Sequence, residues 1–340
     1  MGHFFELEGV TERRFTLGSR LSLFIFRRLL GFALTLVATS AIVFAVLEWL
    51  PGNAAQLILG ETATPESLAA MQTRLGLDQP ASVRYARWMN DLLSGQTGLS
   101  IAYDTPTAEL VAERMQVTLP LAVMAMGLTV TLALALGIYA ASRQNRMGDV
   151  GVMTLSQLGL AVPNFWLAIL LILLFAVHLE WVSAGGFPGW TEEAGGGVWP
   201  AIKALLLPAL ALAAVQTAIL ARVTRSAVID AMREDFVRTA RAKGLSRRQV
   251  LWRHVLRNAM IPVLTVMGLQ FGNLITSAIV IENVFVLPGI GRLIFQAIAN
   301  RDLIVVRDVV MWLAALVMVI NFVIDVLYAW IDPRLKLRHG

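Results

Sequence analysis

The chain has 340 residues, a formal net charge of +5 and no cysteine, and its residues are 57% hydrophobic but only 15% charged. Because soluble domains usually carry ~25% charged residues, this composition excludes an ordinary soluble protein and indicates a membrane protein. The lack of cysteine also excludes a disulfide framework, a cysteine-ligated zinc site and a thiol nucleophile.

Uncharged runs predict an all-α polytopic membrane protein with six transmembrane helices. A span needs roughly 20 largely apolar residues, because the hydrocarbon core is ~30 Å thick and each helical residue rises ~1.5 Å. The last run reaches this length if its helix continues through Asp325 to about Trp330. We expect the Asp325 carboxylate to lie near the cytosolic interface, and a functional charge within the membrane is the alternative. The runs are Leu29–Leu47, Met115–Ser142, Val150–Leu179, Ala204–Ala221, Asn258–Ile281 and Val309–Ile324.

Lysine and arginine residues predict the orientation of these spans. They cluster before the first run, at Arg143 and Arg146 after the second, and in the C-terminal tail, whereas the alternate connections are acidic or balanced. Basic loops stay on the cytosolic side, so we expect both termini to be cytosolic. The first run begins behind Arg27 and Arg28 and has no convincing cleavage site before Glu48. It is therefore expected to be an uncleaved span rather than a signal peptide.

The polar segment between the first two spans contains residues that typically start and end helices. Residues 64–66, Thr-Pro-Glu, predict a helix start, and Gly76 predicts its end. Pro80 predicts the start of a second helix that ends near Gly95. We expect these amphipathic helices to pack on the bundle, and the alternative is that they cover its outer mouth.

Two further connections differ in character. The glycine-rich stretch Ser183–Gly197 contains neither a GxxxxGK[ST] nor a GxGxxG motif, so it predicts no phosphate site. The connection Glu282–Asp302 has a turn at Pro288-Gly289 followed by an amphipathic helix. This helix either lines the translocation entrance or lies at the membrane surface. Within the fifth span, Gly268 and Gly272 have the small-xxx-small spacing that predicts tight helix packing.

The sequence lacks the groups of residues that are typical of a catalytic site. The four histidines lie in separate segments, and none has metal-ligand spacing with a carboxylate or another histidine. No serine elbow or pair of carboxylates lies where a helix bundle would bring its members together. We therefore expect a non-enzymatic chain without a catalytic, cofactor-binding or metal-binding site.

Residues 222–258 form a segment that we call the basic loop. From Arg222 to Arg257 it has ten basic and three acidic residues, a net charge of +7, so the rest of the chain sums to −2. A helical pattern continues from the fourth span through Ala240, and Gly244 is a suitable residue to end it. Ser246 and Gln249 have capping-box spacing, which predicts a second helix that runs into the fifth span.

Three partners are conceivable for the basic loop. A DNA-reading helix pair is excluded, because both helices join membrane spans within a few residues and could not enter a major groove. Anionic lipid would account for the arginines nearest the bilayer but not for a sharp turn that projects from it. A cleft on a soluble protein fits best, with Leu245, Val250 or Leu251 as apolar anchors and the charges setting the register.

The segment FVRTARAKGL at residues 236–245 resembles the cytosolic "EAA" loop of ABC-importer permeases of the dipeptide/oligopeptide/nickel branch. Arg238-Thr239-Ala240 stands where the broad pattern has Glu-Ala-Ala, a departure that the peptide branch shares. Residues 51–54 read PGNA where the family usually has PGDP. Further resemblances are FIFRRL at Phe24–Leu29, LPGNAAQLILG at Leu50–Gly60, SGQTGLS at Ser94–Ser100, TRS at Thr224–Ser226, ENVFVLPGIGRL at Glu282–Leu293 and DPR at Asp332–Arg334.

The resemblance implies the transmembrane domain of a type I ABC importer, as its B-type permease subunit. The organisation it implies is an N-terminal extension (1–22), a first transmembrane helix (23–48), an extracytoplasmic segment with short helices (49–112), a five-helix permease core (113–334) containing the basic loop (222–258), and a cytosolic tail (335–340). The ATPase-coupling residues it implies are Arg238, Thr239, Ala240, Arg241, Lys243, Gly244, Leu245, Ser246, Val250 and Leu251.

The resemblance also implies function and partners. In the bacterial inner membrane, the chain would pair with a second homologous permease and with two cytosolic ATPases that hold ATP and Mg. An extracytoplasmic binding protein would deliver peptides, while nickel, glutathione or an oligosaccharide are alternative solutes. No nucleic acid is expected as a partner. An ion-gradient-driven carrier or a membrane scaffold is the alternative from another class, but the chain lacks the half-to-half similarity expected of a carrier.

Overall fold

The computed structural model describes residues 5–49, 54–60, 63–74 and 76–331. Several sequence predictions lie outside these residues: the first part of the N-terminal extension, the PGNA segment up to residue 53, the DPR motif and the cytosolic tail. The side chain of Asp325 also lies outside the described part. The prediction that the last helix continues through this position is confirmed, since the helix ends at Ile331.

Hydrogen bonding in the described residues is almost entirely helical, and no strand is described beyond one isolated bridge between Leu99 and Pro106. Contacts divide the chain into a unit of residues 1–90 and 310–340 and a unit of residues 91–309. The helices are α1 (Phe5–Trp49), α2 (Ala54–Leu59), α3 (Pro65–Arg74), α4 (Ala81–Ser94), α5 (Thr107–Ser142), α6 (Met147–Ala161), α7 (Asn164–Leu171), α8 (Val198–Arg233), α9 (Asp235–Ala242), α10 (Arg247–Val250), α11 (Leu256–Val284), α12 (Ile290–Ala299) and α13 (Leu303–Ile331).

The first unit shows how a predicted amphipathic helix is held. The rings of Tyr85 and Trp88 on α4 pack against Phe44 on α1, and the Ser40 and Tyr85 hydroxyls hydrogen-bond at 2.7 Å. Arg84 adds an ion pair with Glu48. Helix α4 therefore packs against α1, whereas the packing of these short helices on the bundle stays a prediction.

Five described helices are long and apolar enough to cross a membrane: α1 from Phe26, α5, α8, α11 with the turns before it, and α13. Helix α6 and the stretch Asn164–His178, which begins with α7, make a sixth span if this bent pair crosses as one unit, and the two parts meet at an angle of 102°. The uncharged run Val150–Leu179 is therefore not one continuous helix. Pro163 explains the bend, because proline has no N–H group and disfavours helical geometry at Val162, which has φ −92° and ψ 123°.

The second unit is a bundle centred on α5, α8 and α11. Its apolar core includes Leu121, Leu205, Leu212 and Leu274, all of which are fully buried. The Gln270 amide donates to the Gln216 carbonyl oxygen at 3.1 Å, which ties α11 to α8. The predicted tight packing at Gly268 and Gly272 is confirmed, since both glycines are buried within the chain.

Close approach between α5 and α8 depends on a glycine. A Cβ atom at Gly137 would lie 2.6 Å from the Thr224 Cβ and 2.7 Å from the Ala221 carbonyl oxygen. Real Cβ atoms do not approach other heavy atoms so closely, so the two helices could not keep this spacing with a larger residue. By contrast, Gly127 on the same helix has no atom within 4 Å of its Cβ position.

Candidate functional site

The basic loop is folded back on the bundle as two short helices. Helix α8 ends at Arg233, and Glu234 has the extended angles φ −68° and ψ 151° before α9 begins. The continuous helix predicted from the fourth span through Ala240 is therefore wrong, because Glu234 interrupts it. This break lets α9 leave the axis of α8.

The predicted helix stop at Gly244 is confirmed. Gly244 has φ +82°, a conformation that only glycine adopts without strain. Its N–H donates to the Arg241 carbonyl oxygen at 2.9 Å, and the Leu245 N–H donates to the Ala240 carbonyl oxygen at 3.3 Å. These two bonds form a Schellman motif, which satisfies the last carbonyl groups of α9 and reverses the chain.

The predicted capping box follows directly and is also confirmed. The Gln249 N–H donates to the Ser246 side-chain oxygen at 3.4 Å, and the Ser246 N–H donates to the Gln249 side-chain oxygen at 2.9 Å. After α10 the chain forms a π-helical turn, Leu251–Val255, and then enters α11. The end of α9 and the start of α10 are thus fixed by hydrogen bonds within the loop itself.

Apolar side chains fix the basic loop against the bundle. Val237 and Ala240 from α9 and Val250 from α10 share a buried cluster with Val228 and Ile229 on α8. Val250 is only 2% exposed, so its side chain serves this internal cluster and is not presented to a partner. Leu245 and Leu251 are only partly buried against the same cluster.

The outward face of the loop is charged. The exposed side chains of the predicted coupling set are Arg238, Thr239, Arg241, Lys243 and Ser246. The only ion pair described for this face is a loose one between Arg238 and Asp235, at 3.5 Å and fully accessible to water. Most of the positive charge on this face therefore stays open to a partner.

Trp252 is a surface feature of the loop that the sequence did not indicate. This residue lies in the π-helical turn and is 59% exposed, although its neighbours Val250 and Val255 are buried. A large exposed aromatic ring beside a charged face is typical of an interaction surface. Its position between an apolar residue, Leu251, and a charged one, Arg253, was the only hint of exposure. The sequence does not show which side chains of a π-helical turn face solvent.

Helix α6 is also bonded to the basic loop, through an ion pair with the α8 part of the loop. Asp149, in the first turn of α6, accepts from Arg225 of α8 at 2.5 and 2.6 Å, in a two-bond fork. The Asn145 N–H also donates to Asp149 at 2.9 Å. This pair is not visible in the sequence, because the two residues are separated by 76 positions and no periodicity connects them.

A buried group of hydrogen-bonded polar residues lies at the C-terminal end of α11, away from the basic loop. Glu282 is fully buried, and its carboxylate accepts from the Thr118 hydroxyl at 2.6 Å and from the Gly291 N–H at 2.7 Å. The Thr118 oxygen in turn accepts from the Ile290 N–H at 2.9 Å. A carboxylate is favourable at the N-terminus of α12, where backbone N–H groups are unpaired. The sequence placed Glu282 in a loop, whereas it lies inside α11.

An all-helical, multi-pass membrane protein with a structured basic loop between two of its long helices is the class that this fold and site define. Residues 133–337 match the family described as binding-protein-dependent transport system inner membrane component, and residues 21–133 match the N-terminal region of such membrane components. The chain belongs to this family. It is therefore a multi-pass inner-membrane component of a transport system.

Similar proteins come from several bacteria. A Brucella abortus (strain 2308) protein, named for a peptide transport system permease, is 40% identical over 301 residues, which cover 88% of this chain and 95% of that protein. The dipeptide transport system permease protein DppB of Alkalihalophilus pseudofirmus is 38% identical, with 91% and 98% covered. The glutathione transport system permease protein GsiC of Salmonella paratyphi A is 39% identical, with 93% and 99% covered.

A solved structure supports the fold. The inward-facing MetNI methionine ABC transporter superposes with a TM-score of 0.53 over 66% of this chain and 97% of that chain, at 16% sequence identity. At this identity the likeness concerns the fold alone. It agrees with the predicted class of an ABC-importer transmembrane domain.

Proposed function

We propose that the chain is the permease subunit of an ATP-driven importer that carries peptides into the cytosol. The proposal is supported by the family and by relatives that are named for peptide and dipeptide transport systems and match nearly the whole chain. Both termini and the basic loop would be cytosolic, as the distribution of lysine and arginine predicts. ATP and Mg would be held by partner ATPases, and this chain would contribute no catalytic or cofactor site.

The observation that carries the proposal is the preformed turn of the basic loop. Its ends are fixed by the Schellman motif at Gly244 and the capping box at Ser246, and its inner side is fixed by the cluster around Val250. A segment that is rigid before binding loses little entropy on docking and can transmit a displacement. We infer that a cytosolic ATPase receives this turn in a surface groove.

The contact residues follow from exposure. The charged face of α9 would set the register, and the half-exposed Leu245 and Leu251 would supply apolar contact. Val250 would act indirectly by supporting the turn, whereas Trp252 adds an exposed ring next to it. Two ATPases imply two such turns, so the second would come from a homologous permease subunit. An extracytoplasmic binding protein would load the opposite side.

Coupling needs the turn to bind differently in two states of the ATPases. A ligand with equal affinity for both conformations shifts no equilibrium, so the turn must be held more tightly in one of them. Because the turn packs on both α8 and α11, its displacement would move these two spans together. Such a movement would switch the bundle between inward-facing and outward-facing states.

The test is reconstitution of the permease pair with its ATPases and its binding protein in liposomes. We expect peptide uptake that requires ATP, and we expect Leu245→Asp to lower uptake at least about tenfold by placing a charge in the groove. Ser226→Asp on α8 is a control for added charge at an exposed position. Uptake that proceeds without any ATPase would contradict the proposal and favour an ion-driven carrier.

Glutathione is a second candidate solute, because the chain is 39% identical to a glutathione permease along nearly its whole length. Competition separates the two candidates. An excess of reduced glutathione should abolish uptake of a labelled dipeptide if both use the same binding protein, and should leave it unchanged if the system carries peptides alone.

A further inference from the structure

A small cavity lies within the second unit, away from the basic loop. It has a volume of about 270 Å³ and is lined by Tyr103, Arg114, Pro288, Arg292 and Gln296. These residues come from the segment before α5, the first turns of α5, and the turn and helix that follow α11. The sequence did not predict it, because the fold brings together residues from three separate stretches.

The cavity has an excess of positive charge. Arg114 and Arg292 both line it, and in the described part of the chain no carboxylate lies within ion-pairing distance of either guanidinium. The nearby carboxylate of Glu282 is occupied by Thr118 and by the backbone of α12. The acidic residues Glu109 and Glu113 on α5 are exposed and do not line the cavity.

Hydrogen-bond donors in the cavity are incompletely used. The Nε atom of Arg114 is buried, and no described residue accepts from it. One nitrogen of the Arg292 guanidinium donates to the Val286 carbonyl oxygen at 2.7 Å, and this bond holds the side chain in place. The Tyr103 hydroxyl donates to the Gln296 side-chain oxygen at 3.2 Å, so the Gln296 amide N–H groups remain as donors. Buried donors normally have partners, so this arrangement calls for an acceptor.

We propose that this cavity binds a carboxylate group of the transported solute, such as the C-terminal carboxylate of a peptide. The proposal rests on the proposed function for the class of solute and for the extracytoplasmic side of the membrane. Guanidinium groups bind carboxylates through two parallel hydrogen bonds, and two neighbouring arginines with an amide donor suit that geometry.

The size of the cavity limits what enters it. Pockets that enclose a whole small-molecule ligand usually measure ~300–1,000 Å³. At about 270 Å³ the cavity is too small for a complete oligopeptide and suits one terminal group. The rest of the solute would then stay outside, and side-chain identity would contribute little to binding. A site of this kind selects for a free carboxyl end rather than for a sequence.

The first experiment compares two peptides in the reconstituted transporter. Ala-Ala has a free carboxylate and Ala-Ala-amide lacks it, and each is supplied with an excess of binding protein. We expect Arg114→Gln and Arg292→Gln to lower Ala-Ala uptake about tenfold or more, as expected for loss of a charge-assisted hydrogen bond. Uptake of the amide should change by less than about twofold. Arg87→Gln, at an exposed arginine on α4 outside the cavity, is the matched control.

The second experiment measures binding without transport. The intact transporter in nanodiscs is titrated with N-acetylalanine, with its neutral amide and with inorganic phosphate, and thermal unfolding is followed. We expect stabilisation by the acid, none by the amide, and loss of the effect in both glutamine variants. Arg292→Lys should keep part of the effect, because it retains charge without the two-bond fork. Stabilisation by phosphate that equals that by the acid would contradict a carboxylate site.

The outcomes separate this site from the proposed function. Binding of N-acetylalanine by a transporter that takes up neither peptide would reject the peptide assignment and keep the site. If the variants lower uptake of both peptides equally, or lower neither, the carboxylate site is rejected and the transport function stands. If the variants instead weaken docking of the empty binding protein, the arginines bind an acidic side chain of that protein and the solute proposal is rejected.

Discussion

Asp149 and Arg225 form a two-bond ion pair that joins the first turn of α6 to the part of α8 with which the basic loop begins. The aspartate side chain is 4% exposed and the arginine side chain 22% exposed. The pair therefore links helix α6 to the proposed coupling segment. Removing one member would leave a largely buried charge without its partner.

We predict that Asp149→Asn lowers the free energy of unfolding of the purified transporter by about 1–3 kcal/mol. The effect should be smaller than the ~3–5 kcal/mol of a fully buried pair, because water still reaches Arg225. Asp230→Asn, at an exposed acid on α8, should be nearly neutral. Thermal unfolding followed by tryptophan fluorescence measures both, and equal shifts for the two variants would contradict the prediction.

A pair of glycines on α5 provides a packing test. Gly137→Ala should destabilise the bundle by about 1–3 kcal/mol, because its new methyl group would overlap Thr224 and the Ala221 carbonyl. Gly127→Ala should be neutral or stabilise by up to ~1 kcal/mol, because there is open space at this position and alanine favours helix. Thermal unfolding midpoints of the two variants should therefore move in opposite directions, or only that of Gly137→Ala should move.

The buried node at Glu282 predicts a difference between two substitutions of Thr118. Valine has nearly the same shape but cannot hydrogen-bond, so Thr118→Val would leave the Glu282 carboxylate and the Ile290 N–H each short of a partner. We expect a loss of about 1–3 kcal/mol. Thr118→Ser keeps the hydroxyl and should cost clearly less. A serine variant that unfolds at the same temperature as the valine variant would show that the methyl group, not the hydrogen bonds, matters.

The capping box predicts a functional effect that is separable from stability. Ser246→Ala should weaken the start of α10 by about 1 kcal/mol, because the Gln249 N–H loses its acceptor. This bond is exposed and lies outside the apolar core of the bundle, so the unfolding temperature should change little. We expect faster amide exchange in residues 246–250 and fewer peptides imported per ATP hydrolysed. Ser226→Ala, at an exposed serine of α8, is the control, and unchanged coupling in Ser246→Ala would contradict the coupling role.

The sequence was sufficient where short-range chemistry decides the structure. Apolar length located the spans, and the Gly244 stop and the Ser246 capping box were correct because each depends on neighbouring residues alone. Hydrophobicity did not show the bend at Pro163, since a straight and a bent span have the same composition.

Long-range contacts were beyond the sequence for a different reason. An apolar residue such as Val250 looks the same whether its partner is in its own chain or in another protein, and only the fold shows that α8 covers it. The arginines at positions 114 and 292 likewise lie in separate stretches of the sequence, and no local pattern connects them. Their common cavity depends on the packing of α12 beside α5.

The π-helical turn Leu251–Val255 determines the direction in which the basic loop joins α11. In this turn the Leu256 N–H bonds to the Leu251 carbonyl oxygen, five residues back rather than four. The wider turn holds one residue more than an ordinary α-helical turn, so the extra residue does not rotate the preceding chain relative to α11. If the same residues formed an ordinary α-helix instead, the preceding chain would be rotated by ~100° about the α11 axis, and the turn at Gly244 would face away from the α8 residues it now contacts. The backbone form of this stretch, and not only the identity of its residues, therefore determines the direction in which the permease presents its turn.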